Sequence, residues 1–170
     1  MSRTYTPLAS VVFPLACLLL AGCPPSPCAT SDSPLVQLGS GVGGAFSAYE
    51  DGQNVTLDIA PQGGFGVTTV ILTHGLNADE EELADVQLDV EIDGVESGSF
   101  LAENNRLQCR SDGEGGQISG VVVGFDPEVY QSNDDLLSLN GQEVDLDVTV
   151  FDSQGNVANV LQRVTVVVGN

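Results

Sequence analysis

No lysine and no tryptophan occur in these 170 residues, and four arginines are the only basic side chains against 24 acids. Nucleic-acid binding rests on cations that neutralise phosphates, so this composition argues against a nucleic-acid partner. It also argues against a polybasic grip on anionic lipid. Without tryptophan, and with three tyrosines, a sugar-stacking cleft has little to build on. His74 is the single histidine, in Leu72-Thr-His-Gly-Leu76. A zinc-type site wants a second nitrogen or thiolate ligand. Ser/His/Asp catalysis would have to use His74, yet no G-x-S-x-G turn supplies a nucleophile. Local hydrogen bonding is the expected role of His74.

Long hydrophobic runs are also missing. The longest, Leu8–Leu20, spans thirteen residues with Ser10 and Pro14 inside it. About 20 residues are needed to span a bilayer, whereas this length suits the apolar core of a signal peptide. Leu20-Ala21-Gly22-Cys23 follows and resembles the lipobox of bacterial lipoproteins. That resemblance implies cleavage before Cys23, acylation of Cys23, and membrane attachment through the lipid. Two or three acyl chains anchor stably without a transmembrane helix. In that family the residue after the cysteine influences sorting, and Pro24 favours the outer membrane over the inner. The expected organisation is a signal peptide over residues 1–22, a Pro/Ser-rich tether over 23–34 and one domain over 35–170. The location is the cell envelope.

Removal of residues 1–22 would leave three arginines, Arg106, Arg110 and Arg163, against 24 acids, a side-chain sum of −21. Hydrophobic content of 42% makes this a folding chain rather than a disordered acidic tail. A lysine-free acidic surface also suits salt-rich surroundings, where screening relieves self-repulsion. Of the four cysteines, Cys17 would leave with the signal and Cys23 would carry lipid. Cys28 and Cys109 remain, and an oxidising compartment favours a bond between them.

After residue 34 the apolar positions alternate instead of following a helical period. Val55, Leu57 and Ile59 alternate, as do Val86, Leu88, Val90 and Ile92. Val144, Leu146, Val148 and Val150 repeat the pattern, and so do Val164, Val166 and Val168. Further strands are expected at Leu35–Leu38, Phe65–Thr73, Phe100–Leu101, Leu107–Cys109 and Ile118–Phe125. One helical turn is expected at Ala78–Ala84. The fold class is all-β: an antiparallel sandwich of about 7–9 strands. Val148-Thr-Val-Phe-Asp-Ser-Gln-Gly-Asn-Val-Ala158 followed by Val164-Thr-Val-Val-Val168 resembles the last hairpin of bacterial immunoglobulin-like domains. Asp152 caps that turn, and Gly155 and Asn156 tolerate positive φ. The segment Gly52–Leu72 resembles uncharacterised acidic envelope lipoproteins. Neither resemblance transfers an activity.

Three chemistries remain to be weighed. Gly39-Ser-Gly-Val-Gly-Gly44 satisfies G-x-G-x-x-G, but Asp51-Gly52 breaks any helix that a dinucleotide would need. Acid clusters at Asp79–Glu82, Asp112–Glu114, Asp126–Glu128 and Asn133–Asp135 raise the question of calcium. No cluster has the EF-hand spacing, so no metal is assigned. Were calcium bound, the candidate ligands are Asp126, Asn133, Asp134 and Asp135. With 24 acids a carboxylate-dependent secreted hydrolase stays open, and it would need two acids converging in a partly apolar cleft. The preferred expectation is an envelope module with a structural or interaction role, no catalysis, no cofactor, and an envelope or extracellular protein as partner. Parity adds one geometric expectation. If Val86–Ile92 and Val144–Val150 face inward on neighbouring strands, Asp89, Glu91, Asp145 and Asp147 form an outward acid ladder. Arg106, Arg110 and Arg163 are expected to flank it.

Overall fold

A computed structural model describes residue 28 and residues 33–41, 45–59 and 64–169. The alternating segments become strands: β1 (Leu35–Ser40), β2 (Ser47–Ala48), β3 (Gln53–Ile59), β4 (Phe65–His74) and β5 (Leu83–Ile92). After them come β6 (Val95–Arg106), β7 (Gln108–Cys109), β8 (Gly116–Gly124), α1 (Asn133–Ser138), β9 (Glu143–Asp152) and β10 (Val157–Val168). The period-2 pattern translates directly into burial. Val86, Leu88 and Val90 are buried on β5, and Val144, Leu146, Val148 and Val150 on β9. Their polar neighbours stand outward because successive side chains on a strand point to opposite faces.

The strands form one mixed sheet in the order β2-β1-β4-β3-β10-β9-β5-β6, with β8 on the second edge of β4 and β7 on β8. As expected, β5 and β9 are neighbours, with Val86 opposite Val150 and Leu88 opposite Val148. The expected all-antiparallel pairing needs correcting, because β3 and β10 run parallel, Gln53 opposite Val164 through Leu57 opposite Val168. More than ninety residues separate the two strands in sequence, so no tight hairpin forces them antiparallel. At Asp58 and Ile59, β3 leaves β10 and pairs with Gly66 and Phe65 of β4. That strand therefore joins two halves of the sheet. Both contribute to a single buried cluster, Val36, Leu38, Val67 and Ile71 from one half, Leu146, Val148, Val164 and Val166 from the other.

Two further expectations are corrected. Ala78–Ala84 is not a helical turn, for β5 already begins at Leu83 and the preceding residues are irregular. Their backbone is tied sideways: Asp79 N–H donates to Leu107 O, and Leu107 N–H to Glu82 O. The one helix among the described residues is α1, which sequence periodicity does not announce because it has no buried residue. It is held by its cap instead. Ser132 accepts from the Asp135 N–H, and the Asp135 carboxylate accepts from the Ser132 N–H. At the other extreme, β6 runs twelve residues where only Phe100–Leu101 stand out in sequence. An Asp93-Gly94 turn with both φ positive (52° and 74°) launches it from β5 in the manner of a tight hairpin.

Candidate binding slot between β6 and β8

Two strand edges face each other on one flank of the molecule. Among the described residues β6 ends the sheet and pairs only with β5. β8 pairs with β4 along its length, while β7 covers only Gly116 and Gln117 on its other side. Among the described residues Ile118–Gly124 is therefore paired on one side alone. The edges meet at one end, where Asp126 N–H donates to Ser97 O at 2.8 Å. There a Cβ on Gly98 would lie 2.2 Å from Gly124 O, so only glycine permits the approach. From that bond to β7, no hydrogen bond joins the two edges among the described residues. A slot of about 600 Å³ opens between them.

Core residues form its floor. Leu88, Val121 and Phe125 line it and are almost wholly buried, while Phe65 and Ala102 are half-buried. Phe100 stands on its rim at 50% exposure. Phe125 is fixed by an edge-on contact with the Tyr130 ring, centroids 5.4 Å apart. A bulge at Thr69/Val70 breaks the β4–β8 register, and Gly120 opposite it takes φ +73°. The ionisable side chains lining the slot are Glu96 and Asp126, both acidic. Asp126 Oδ1 accepts the Glu128 N–H at 2.8 Å, and the Glu96 side chain is exposed. Polar and apolar groups line it in nearly equal measure, with Ser99, Asn105 and Ser119 beside an apolar floor.

The chain matches no known family model, no curated protein and no solved structure. The slot must be read from its own geometry.

The residues singled out in the sequence lie mostly elsewhere. Cys23, like residues 1–27 generally, falls outside the described residues. Cys28 and Cys109 are joined, with Cα atoms 5.6 Å apart and a sequence separation of 81. Cys28 is fully buried, so the bond presses the start of the domain against β7. Of the calcium candidates, only Asp126 reaches the slot. Asn133, Asp134 and Asp135 open α1, and Asp135 is consumed by capping. Hydrogen bonds from the Ser132 side chain, the Ser132 N–H and the Gln131 N–H hold its carboxyl below the usual range. Among the described residues no three His, Cys, Asp or Glu side chains gather as metal ligands. His74 ends β4, half-buried. Gly39 sits within β1 and the chain proceeds to the strand β2 where a dinucleotide fingerprint requires a helix.

The arginine expectation holds for one residue of three. Arg163 lies opposite Asp145 and grips it with two hydrogen bonds of 2.7 Å, Nε to Oδ1 and Nη2 to Oδ2. Those bonds lower the Asp145 carboxyl and raise the guanidinium. Arg110 instead pairs with Asp112 in the β7–β8 turn, in the other half of the sheet. Arg106 closes β6 opposite Leu83 and makes no ion pair among the described residues. The acid ladder itself is present. Asp89 lies directly opposite Asp147, and Asp89 Oδ1 accepts from Gln87 Nε2 and Ser99 Oγ at 2.7 and 2.6 Å. Neutral donors, rather than arginines, accommodate the like charges there.

Proposed function

We propose that this chain is a lipid-anchored, extracytoplasmic immunoglobulin-like module that acts by binding another protein of the envelope, without catalysis. Supporting the immunoglobulin-like reading, β10-β9-β5-β6 follow the G-F-C-C′ order of such domains, and β1-β4-β8 the A-B-E order. The parallel β3–β10 pair is then a first strand split between the two sheets. Supporting export, the Leu20–Cys23 motif is joined by a Cys28–Cys109 bond, which suits an oxidising compartment. Four residues lie between Cys23 and Cys28, so the two are five steps apart, at most about 18 Å of extended chain. A lipid on Cys23 would thus hold the β7 end of the domain close to the membrane.

The observation that carries the binding reading is the slot between two unpaired strand edges. Natural sheets pair, cover or charge their edges, so an opening with an apolar floor flanked by two of them calls for an occupant. The hydrolase reading draws on Glu96 and Asp126 lining the same slot. One is solvated and the other is engaged by a backbone N–H, so neither has the desolvated setting of a general acid.

Photo-cross-linking from position 100 in intact envelopes tests the proposal, with position 159 on the exposed face of β10 as control. A discrete adduct from position 100, absent from position 159, is expected. Equal yields from the two positions would remove the slot from consideration. Intact-mass analysis of the same preparation should show a chain beginning at Cys23 with acyl mass added.

A further inference from the structure

The chemistry of the slot narrows what it can hold. Its walls are lengths of backbone edge, and an extended chain is the ligand that satisfies an edge along its length. The free run of β8, Ile118–Gly124, is seven residues long, about 24 Å at strand rise. Gly120 leaves the middle of this wall bare, since a Cβ there would meet nothing within 4 Å. The half-exposed Phe100 and the half-buried Phe65, Ala102 and Val122, above the buried Leu88, Val121 and Phe125, offer an apolar surface to one face of an entering strand. The opposite face of that strand would look outward, past the exposed Glu96 and over a molecule carrying a net charge of −20. Among the described residues no basic side chain lines the slot. A second copy of the chain would bring the same net charge against it, whereas a cationic strand complements it.

Resting on the protein-binding reading, we infer that the slot receives an extended cationic peptide strand, apolar at every second residue, inserted between the edges of β6 and β8. Alternation follows from the geometry: one set of side chains meets the floor, and the other meets solvent and acids. Backbone hydrogen bonds supply much of the affinity, and charge selects the partner.

Three blocked heptapeptides test this against the full-length protein. The first alternates valine and lysine, the second alternates valine and glutamate, and the third is the lysine peptide with every second amide N-methylated. The lysine peptide should bind at least tenfold more tightly than either of the others. It should slow amide exchange in Phe100–Ala102 and Ser119–Val122. Glu96→Lys, an exposed change at the rim, should weaken it several-fold. Equal binding of the N-methylated peptide would overturn strand insertion, because that peptide keeps the charge but cannot pair. Equal binding of the glutamate peptide at the slot would overturn the charge assignment and leave protein binding intact. A concentration-dependent dimer that protects the same amides would make a second copy the occupant and overturn the inference. Should no peptide protect the slot, the inference fails. The cross-link from position 100 then decides separately whether the slot binds a protein at all.

Discussion

Asp152 ties the last hairpin to the rest of the molecule, and replacing it with alanine should cost about 3 kcal/mol. The carboxylate is 6% exposed and accepts four hydrogen bonds. Oδ1 takes the N–H groups of Gln154 and Asn156 at 3.0 and 2.8 Å. Oδ2 takes the Asn77 N–H at 2.9 Å and the Asn156 side-chain amide at 2.8 Å. Residues 153–156 are exposed, so three of these donors can turn to water when the carboxylate is removed. Their loss amounts to roughly 0.5 kcal/mol each. Asn77 is half-buried and 75 residues away, and its stranded N–H adds about 1–2 kcal/mol. For a domain of this size the sum lowers Tm by roughly 10 °C. Burial alone would push the Asp152 carboxyl up, but the donors from Asn77, Asn156 and Gln154 outweigh it and hold the group below its ordinary range. A depressed folded value stabilises above the unfolded pKa of about 3.9 and is lost as pH falls through the folded value. Thermal melts by circular dichroism should therefore show a constant gap between wild type and Asp152→Ala from pH 7 to 5, narrowing below about pH 4. A gap under 1 kcal/mol, or one unchanged down to pH 2, would refute the reasoning.

Replacing both Cys28 and Cys109 with serine should destabilise the domain by about 4.5 kcal/mol in the chain-entropy model, since the bond closes a long loop. Denaturant unfolding checks this, and a loss below 1 kcal/mol would mean the tether is already confined without the bond. Asp147 faces Asp89 directly, and its Oδ1 is buried with no hydrogen-bond partner among the described residues, so Asp147→Asn should raise Tm by a few degrees. Added sodium chloride should stabilise the wild type, because screening relieves more repulsion among 24 acids than it removes attraction from four arginines. A far larger gain from micromolar calcium, abolished by chelator, would instead reinstate a specific metal site.

How far the fold was legible depended on where the apolar residues sit. β5, β9 and the second half of β10 bury alternate residues, so their period and facing could be read from valine and leucine alone, while the adjacency of β5 and β9 was an expectation of the immunoglobulin-like strand order. The Arg163–Asp145 pair followed from the same parity. Elements stabilised by polar backbone contacts left no such trace. α1 exists through the reciprocal Ser132–Asp135 cap, and β6 through its Asp93-Gly94 turn and one paired edge. Arg110 was misassigned because strand parity fixes a face but not a sheet: the two-residue β7 joins β8, not β5. Gly155 and Asn156 both tolerate positive φ, and among the turn residues only Gly155 adopts it, at 82°. Asn156 serves instead as a donor to Asp152.

The slot was illegible for a different reason, since it is made of what β6 and β8 do not pair with. A sequence encodes which residues favour an extended backbone, whereas an edge arises only when the order of strands runs out. Phe100 is the residue that bridges the two descriptions. Within β6 it is an aromatic left half-exposed beside Leu101, which is also exposed, and that breaks the alternation seen on β5 and β9. Gly98, Gly120 and Gly124 add a second trace, glycines on two neighbouring edges where strands otherwise favour bulk. Together these features distinguish a strand shaped to be completed by another chain from one that closes a sheet. A closing strand would carry charge or proline along its free edge. Ile118–Gly124 carries neither.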